Sequence, residues 1–144
     1  MSKEEKLSEG FIPLTVPTIG DEEIKEVVDT LRSGWLTSGP RVQRFEEGFR
    51  KYVSAGHAVA VSSCTAGMHL ALAAAGIGLG DEVITSPLTF CSTVNVIVHL
   101  GAKPVLADIS LEDYNLAPEM VAERITERTR AIMPVHYAGQ PCRL

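Results

Sequence analysis

Apolar positions recur at helical spacing along the first part of the chain and give way to short β-branched runs from residue 57. Ile24, Val27, Val28 and Leu31 fall on one face of a helix that Asp21 can cap and Gly34 can stop, and that helix is expected to bury its stripe. Val42, Phe45, Phe49 and Tyr52 mark a second amphipathic helix, fading at Ser54 to Gly56. Beyond it, strands are predicted over 58–61, 82–85, 104–107 and 131–135, and helices over 66–75, 90–100 and 118–125. Strands separated by crossover helices imply an α/β domain with a mainly parallel sheet and helices on both faces. No helix follows the last strand before Leu144, so the final crossover is missing and an interrupted domain is expected.

Composition narrows the function classes. With 144 residues, 45% of them hydrophobic, the chain has material for one compact core. The net charge is −5 and Lys and Arg are scattered, which argues against a nucleic-acid surface. The most apolar stretch, Met68 to Leu79, is broken by Gly76 and Gly78 and is too short to cross a bilayer. The start MSKEEKLSEG lacks the apolar core of a signal peptide, so a cytoplasmic protein without a membrane partner is expected. Cys64, Cys91 and Cys142 are odd in number and widely spaced, suggesting neither a disulfide framework nor a metal site.

In open parallel sheets ligands collect beyond the carboxyl ends of the strands, which directs attention to four loops: SSCTAG (62–67), SPLTFCST (86–93), DISLEDYN (108–115) and HYAGQ (136–140). In the first, a helix starting near Thr65 would aim the N–H groups of Thr65, Ala66 and Gly67 at an anion such as phosphate, with the Thr65 hydroxyl adding a bond. The commoner reading of this local pattern is that Ser63 or Thr65 caps the helix. Neither GxGxxG nor GxxxxGK[ST] is present, so a Rossmann dinucleotide site or a P-loop has no support. Phe90 either stacks on a flat heteroaromatic ligand or belongs to the core. His136 and Gln140 offer polar groups at another strand end, where a satisfied, partly buried histidine is the commoner outcome. Asp108 and Asp113 read as turn residues and receive no catalytic role. GWLTSGP (34–40) exposes Trp35 and Leu36, which would dock on a partner subunit, a substrate or the domain's own surface.

Taken together, GWLTSGPRVQRFEEGFRKY, AVAVSSCTAGMHLALAAAGIGLGDEVITSPLTFCSTVNVI, GAKPVLADI and TRAIMPVHYAGQP resemble the N-terminal part of the DegT-type (DegT/DnrJ/EryC/StrS) sugar aminotransferases. These are pyridoxal-phosphate enzymes of fold type I acting on nucleotide-linked keto-sugars, and the resemblance runs from about residue 12 to the last residue. SSCTAGMH and VHYAGQP are most similar to the branch that makes UDP-4-amino-4-deoxy-L-arabinose. The resemblance implies an arm and two helices over 1–56, then the first half of the cofactor-binding large domain over 57–144. It implies that Thr65 and Ala66, with Ser63 beside them, bind the phosphate of pyridoxal 5′-phosphate. By the same resemblance Phe90 stacks on the pyridine ring, His136 lies near cofactor and substrate, and Trp35, Leu36 and Thr37 line the sugar-nucleotide entrance near a subunit boundary.

Cys64 stands where many members carry glycine, so the turn here is expected to avoid a glycine-only backbone angle. The family's aspartate for the pyridine nitrogen and its Schiff-base lysine lie farther along than Leu144, and Lys3, Lys6, Lys25, Lys51 and Lys103 match no such motif. No catalytic residue is therefore assigned, and the chain alone is expected to be inactive. The expected partners are a nucleotide-sugar, glutamate or 2-oxoglutarate, and a second copy, since intact members form dimers and a partial sheet exposes pairing edges. Two alternatives stand beside the aminotransferase: a pyridoxamine-phosphate-dependent sugar-nucleotide dehydratase with histidine in place of the lysine, and a non-catalytic assembly module.

Overall fold

A computed structural model describes residues 15–143, which divide into two compact units after Ala60. The first holds two helices, α1 (Asp21–Ser33) and α2 (Pro40–Tyr52). Gly20, not Asp21, is the N-cap of α1; its N–H donates to the Glu23 carboxylate at 2.6 Å, and Asp21 is the first helical residue. The cap moves because Glu23, one turn in, reaches back to the free N–H, while Asp21, Glu22 and Glu23 all favour the positive end of the helix dipole. Gly34 closes α1 in the left-handed region (φ 73°), donating its N–H to Leu31. Pro40 starts α2, where its missing N–H costs nothing. Glu26 on α1 accepts from Arg41 and Arg44 on α2.

The expectation that α1 buries its stripe is not met: neither helix contains a buried residue, and Ile24, Val27, Leu31, Phe45 and Phe49 are all more than half exposed. Two helices supply no second layer for both stripes, and an apolar face stays open until another element packs on it.

The second unit contains α3 (Cys64–Ala74), β1 (Glu82–Thr85), α4 (Ser92–His99), β2 (Lys103–Leu106), α5 (Pro118–Ala122) and β3 (Thr129–Met133). The strands form one parallel sheet in the order β2-β1-β3. β1 is central and buried throughout, and its period of two sends Val83 and Ile84 to opposite faces. Val83 joins Leu72, Ile77, Val96, Ile97 and Ala102 beneath α3 and α4. Ile84 joins Ala107, Leu116 and Val121 beneath α5. Helices therefore cover both faces, as the sequence pattern predicts. No helix among the described residues is long and apolar enough to cross a membrane.

The predicted strand over 58–61 is not formed; this run is unpaired and Val59 is 78% exposed. β-branched residues favour extension, but a strand also needs a ladder partner, and no described strand offers one. β3 ends at Met133 rather than at 135, because Pro134 has no N–H to continue the ladder. α5 stops at Ala122, short of 125, and the Thr126 hydroxyl beyond it donates to the Glu82 carboxylate at 2.7 Å.

Glu82 anchors the amino-terminal end of the sheet. It is 2% exposed and also accepts from Lys103 at 3.1 Å and Arg128 at 2.9 Å. The Thr126 hydroxyl first, then Lys103 and Arg128, hold its carboxyl down to about 2. A depressed folded value means the charged form stabilises the fold at neutral pH, and that contribution fades as pH falls from about 4.5 towards about 2. Urea unfolding should therefore show Glu82→Gln less stable than the parent at neutral pH, with the gap closing near pH 2; a gap independent of pH would contradict the assignment.

Candidate functional site

All three strands are parallel, so their carboxyl ends, at Thr85, Leu106 and Met133, lie along one edge of the sheet. The Thr85 hydroxyl donates to the Met133 carbonyl at 2.8 Å, fixing the ends of β1 and β3 against each other just before their loops diverge. α3 packs on the sheet through Leu72 and enters β1 through a short connection. It thus runs opposite to the strands and brings its N-terminus to the same edge.

At that N-terminus the capping reading of SSCTAG is met. Ser63, in extended conformation, caps α3: its Oγ accepts the Ala66 N–H at 3.1 Å and its carbonyl accepts the Gly67 N–H at 3.0 Å. Two of the three N–H groups expected to face an anion, those of Ala66 and Gly67, are thereby engaged within the turn. The helix starts at Cys64, slightly earlier than the sequence suggests, so its first free donors are the Cys64 and Thr65 N–H groups. The first turn of α3 carries no acidic residue, whereas that of α1 carries three. The α3 end is accordingly left uncompensated by carboxylates, as are the starts of α2 and α4. Positive φ angles fall elsewhere, so Cys64 needs no glycine-like backbone.

The 86–91 loop is stiffened from within. Ser86 Oγ accepts the Leu88 N–H at 3.1 Å, and the Thr89 and Thr93 hydroxyls bond at 2.7 Å. Phe90 is 76% exposed, which excludes the core alternative and leaves its ring free to meet a ligand.

His136 is exposed at the end of the segment after β3, and its Nδ1 accepts the Cys142 N–H at 3.1 Å. Asn115, which the sequence did not single out, is buried and bonds three backbone groups of the 137–141 turn. An asparagine closing a hydrophilic loop carries no local mark of burial; the signal lies only in the long-range partners. Asp108 and Asp113 serve turns, accepting the Ile109 and Asn115 N–H groups.

The topology thus brings Ser63, Thr65, Ala66, Phe90 and His136 to one edge of the second unit, with no hydrogen bond among Thr65, Phe90 and His136 in the described residues. Trp35, Leu36 and Thr37 belong to the first unit, in the loop between α1 and α2. There the indole lies over Gly39, where a Cβ would meet its ring at 2.9 Å, so the second glycine of GWLTSGP is required by this packing. The described lysines are engaged in ion pairs: Lys25 with Asp29, Lys51 with Glu47, and Lys103 with Glu82 at the opposite end of the sheet.

The family model described as the DegT/DnrJ/EryC1/StrS aminotransferase family matches residues 17–144. The spore coat polysaccharide biosynthesis protein SpsC of Bacillus subtilis is 58% identical over 132 residues, covering 92% of this chain and 34% of SpsC. Among solved structures, the putative sugar aminotransferase Spr1654 from Streptococcus pneumoniae, known in PLP, PMP and apo forms, superimposes with a TM-score of 0.86 at 40% identity, over 91% of this chain and 33% of that one. An aminotransferase from Psychrobacter cryohalolentis gives 0.83 at 34% identity, over 90% and 34%. The chain spans about a third of the length of these relatives.

Proposed function

Since the chain belongs to the DegT/DnrJ/EryC1/StrS aminotransferase family, we propose that it forms the phosphate and ring-stacking part of a pyridoxal-phosphate site in a sugar aminotransferase. The observation that carries this reading is the start of α3. There Ser63 caps the helix yet leaves the Cys64 and Thr65 N–H groups and the Thr65 hydroxyl for a dianion, with no carboxylate in the first turn. The donor set suits a phosphate: two backbone N–H groups, one hydroxyl and the positive end of a helix dipole. Phe90, exposed at the neighbouring strand end, supplies a face for the pyridine ring.

When bound, pyridoxal phosphate supplies the electron sink through which an amino group passes from glutamate to a keto-sugar. The chain's own residues bind and orient. Thr65 and its helix hold the phosphate, Phe90 covers one ring face, and His136 presents a hydrogen-bonding nitrogen at the sheet edge. Trp35, Leu36 and Thr37 would contribute to the entrance for a nucleotide-linked sugar, in the setting of surface-polysaccharide synthesis that the name of SpsC suggests. A homo-oligomer is the natural home for the open stripes of α1 and α2.

The reading is tested by comparing pyridoxal phosphate with pyridoxal on the 144-residue chain by equilibrium dialysis. Held by phosphate and ring contacts alone, pyridoxal phosphate is expected to bind at about millimolar affinity, roughly −4 kcal/mol, and pyridoxal about tenfold more weakly. Equal binding of the two would remove the phosphate assignment. Glutamate-dependent turnover by this chain is expected to be absent, because its described lysines are held in ion pairs and Lys103, the one in the second unit, lies at the opposite end of the sheet; turnover with a borohydride-stable lysine adduct would overturn that.

A further inference from the structure

Asn115 is an amide with 1% exposure at the end of a hydrophilic loop, and both its nitrogen and its oxygen are engaged. Its Nδ2 donates to the carbonyls of Gln140 at 3.1 Å and Pro141 at 3.3 Å, while its Oδ1 accepts the Tyr137 N–H at 2.9 Å. Its backbone is fixed as well, with the N–H on Asp113 Oδ1 at 3.1 Å and the carbonyl accepting from Ser110 at 2.9 Å. One buried side chain thus grips both ends of the 137–141 turn.

That turn is backbone-strained. Ala138 has φ 51° and Tyr114, immediately before the clamp, has φ 58°; both lie in the left-handed region that disfavours a Cβ. Such angles persist where the surroundings over-determine them, and they concentrate at functional sites. With the turn held, Cys142 falls back beside the start of the segment. Its N–H donates to His136 Nδ1 at 3.1 Å and its Sγ donates to the Val135 carbonyl at 3.2 Å. A neutral imidazole has one donor and one acceptor nitrogen, so accepting at Nδ1 places the proton on Nε2.

We propose that Asn115 is a positioning residue: by clamping the 137–141 turn it sets His136 as the Nε2–H tautomer, a hydrogen-bond donor at the sheet edge and not a proton acceptor. The tautomer follows from the chain's own geometry. Only the identity of the group it addresses, an oxygen of the cofactor or the keto-sugar, rests on the proposed function.

The test is long-range proton–nitrogen correlation on the full chain with nitrogen-labelled histidine, at a pH where imidazole is neutral, with His136 assigned by loss of its signals in His136→Gln. The parent is expected to show the His136 proton on Nε2. Asn115→Ala should mix the tautomers and speed amide exchange at Tyr137 and Cys142 by about tenfold or more, while the amides of β1 keep their protection. A general loss of packing would not select one tautomer at one ring. A proton on Nδ1 in the parent, or an unchanged His136 pattern in a folded Asn115→Ala, overturns the proposal. If neither Asn115→Ala nor the isosteric Asn115→Asp folds, the parent spectrum decides alone: Nε2 sustains the assignment and Nδ1 ends it. Failure of pyridoxal phosphate to bind would remove the proposed function and leave this measurement untouched.

Discussion

Replacing Ile84 by alanine is expected to destabilise the second unit by about 3 to 5 kcal/mol, near the upper end for a buried aliphatic truncation. Ile84 is 0% exposed, in the middle of the central strand, and packs with Ala107, Leu116 and Val121 under α5. Those neighbours are poorly placed to fill the space, because Val121 is fixed in α5, Leu116 is held by its bridge to Ile109, and Ala107 has no reach. Total stabilities of domains this size are about 5 to 15 kcal/mol, so the substitution would consume much of the margin. The functional consequence follows from position. Ile84 precedes Thr85, whose hydroxyl bonds Met133, and that tie sets the loops bearing Phe90 and His136. Urea unfolding followed by far-ultraviolet circular dichroism reads the loss directly. Ile24→Ala on the open stripe of α1 is the control, with an expected change within about 0.5 kcal/mol. Equal losses from the two substitutions would show that the core of the second unit does not rest on β1.

The contrast between these two isoleucines explains what was legible in the sequence. Periodicity located both helices of the first unit and predicted β1 over its observed residues, because helical spacing and a short β-branched run between turn residues are local signals. It failed where the outcome depends on a distant partner. Val59 and Val61 read as strand but stay unpaired, since pairing is decided by which strand lies alongside. The end of α5 was likewise missed by three residues, and just beyond it Thr126 bonds Glu82, far away in sequence.

The candidate site divides in the same way. Ser63 as a cap was readable from residue preference, and Thr65 as a phosphate contact came from the resemblance. Which donors stay free depended on the exact cap geometry: Ser63 takes Ala66 and Gly67 and leaves Cys64 and Thr65. Asn115 was invisible because its side chain bonds backbone groups more than twenty positions away, and nothing in DISLEDYN distinguishes it from an ordinary exposed turn asparagine.

Thr65→Asp should separate helix stability from ligand binding, moving them in opposite directions. At the second position of α3 a carboxylate faces the positive end of the dipole, where it stabilises a helix by about 0.3 to 1 kcal/mol. The same carboxylate would stand within a few ångströms of a phosphate dianion held by the Cys64 and Thr65 N–H groups. Like charges about 4 Å apart repel by about 1 kcal/mol in water and by about 4 at the dielectric of a protein surface, for each unit of charge. A dianion thus loses at least about 2 kcal/mol, a factor of about 30, and a millimolar complex falls beyond detection. Thermal unfolding should rise slightly or hold while retention of pyridoxal phosphate in equilibrium dialysis disappears. Thr65→Ser, which keeps the hydroxyl, should bind as the parent does. If Thr65→Asp retained the ligand, the phosphate would have to lie elsewhere than at the start of α3; if it lost stability, α3 would not begin where Ser63 caps it.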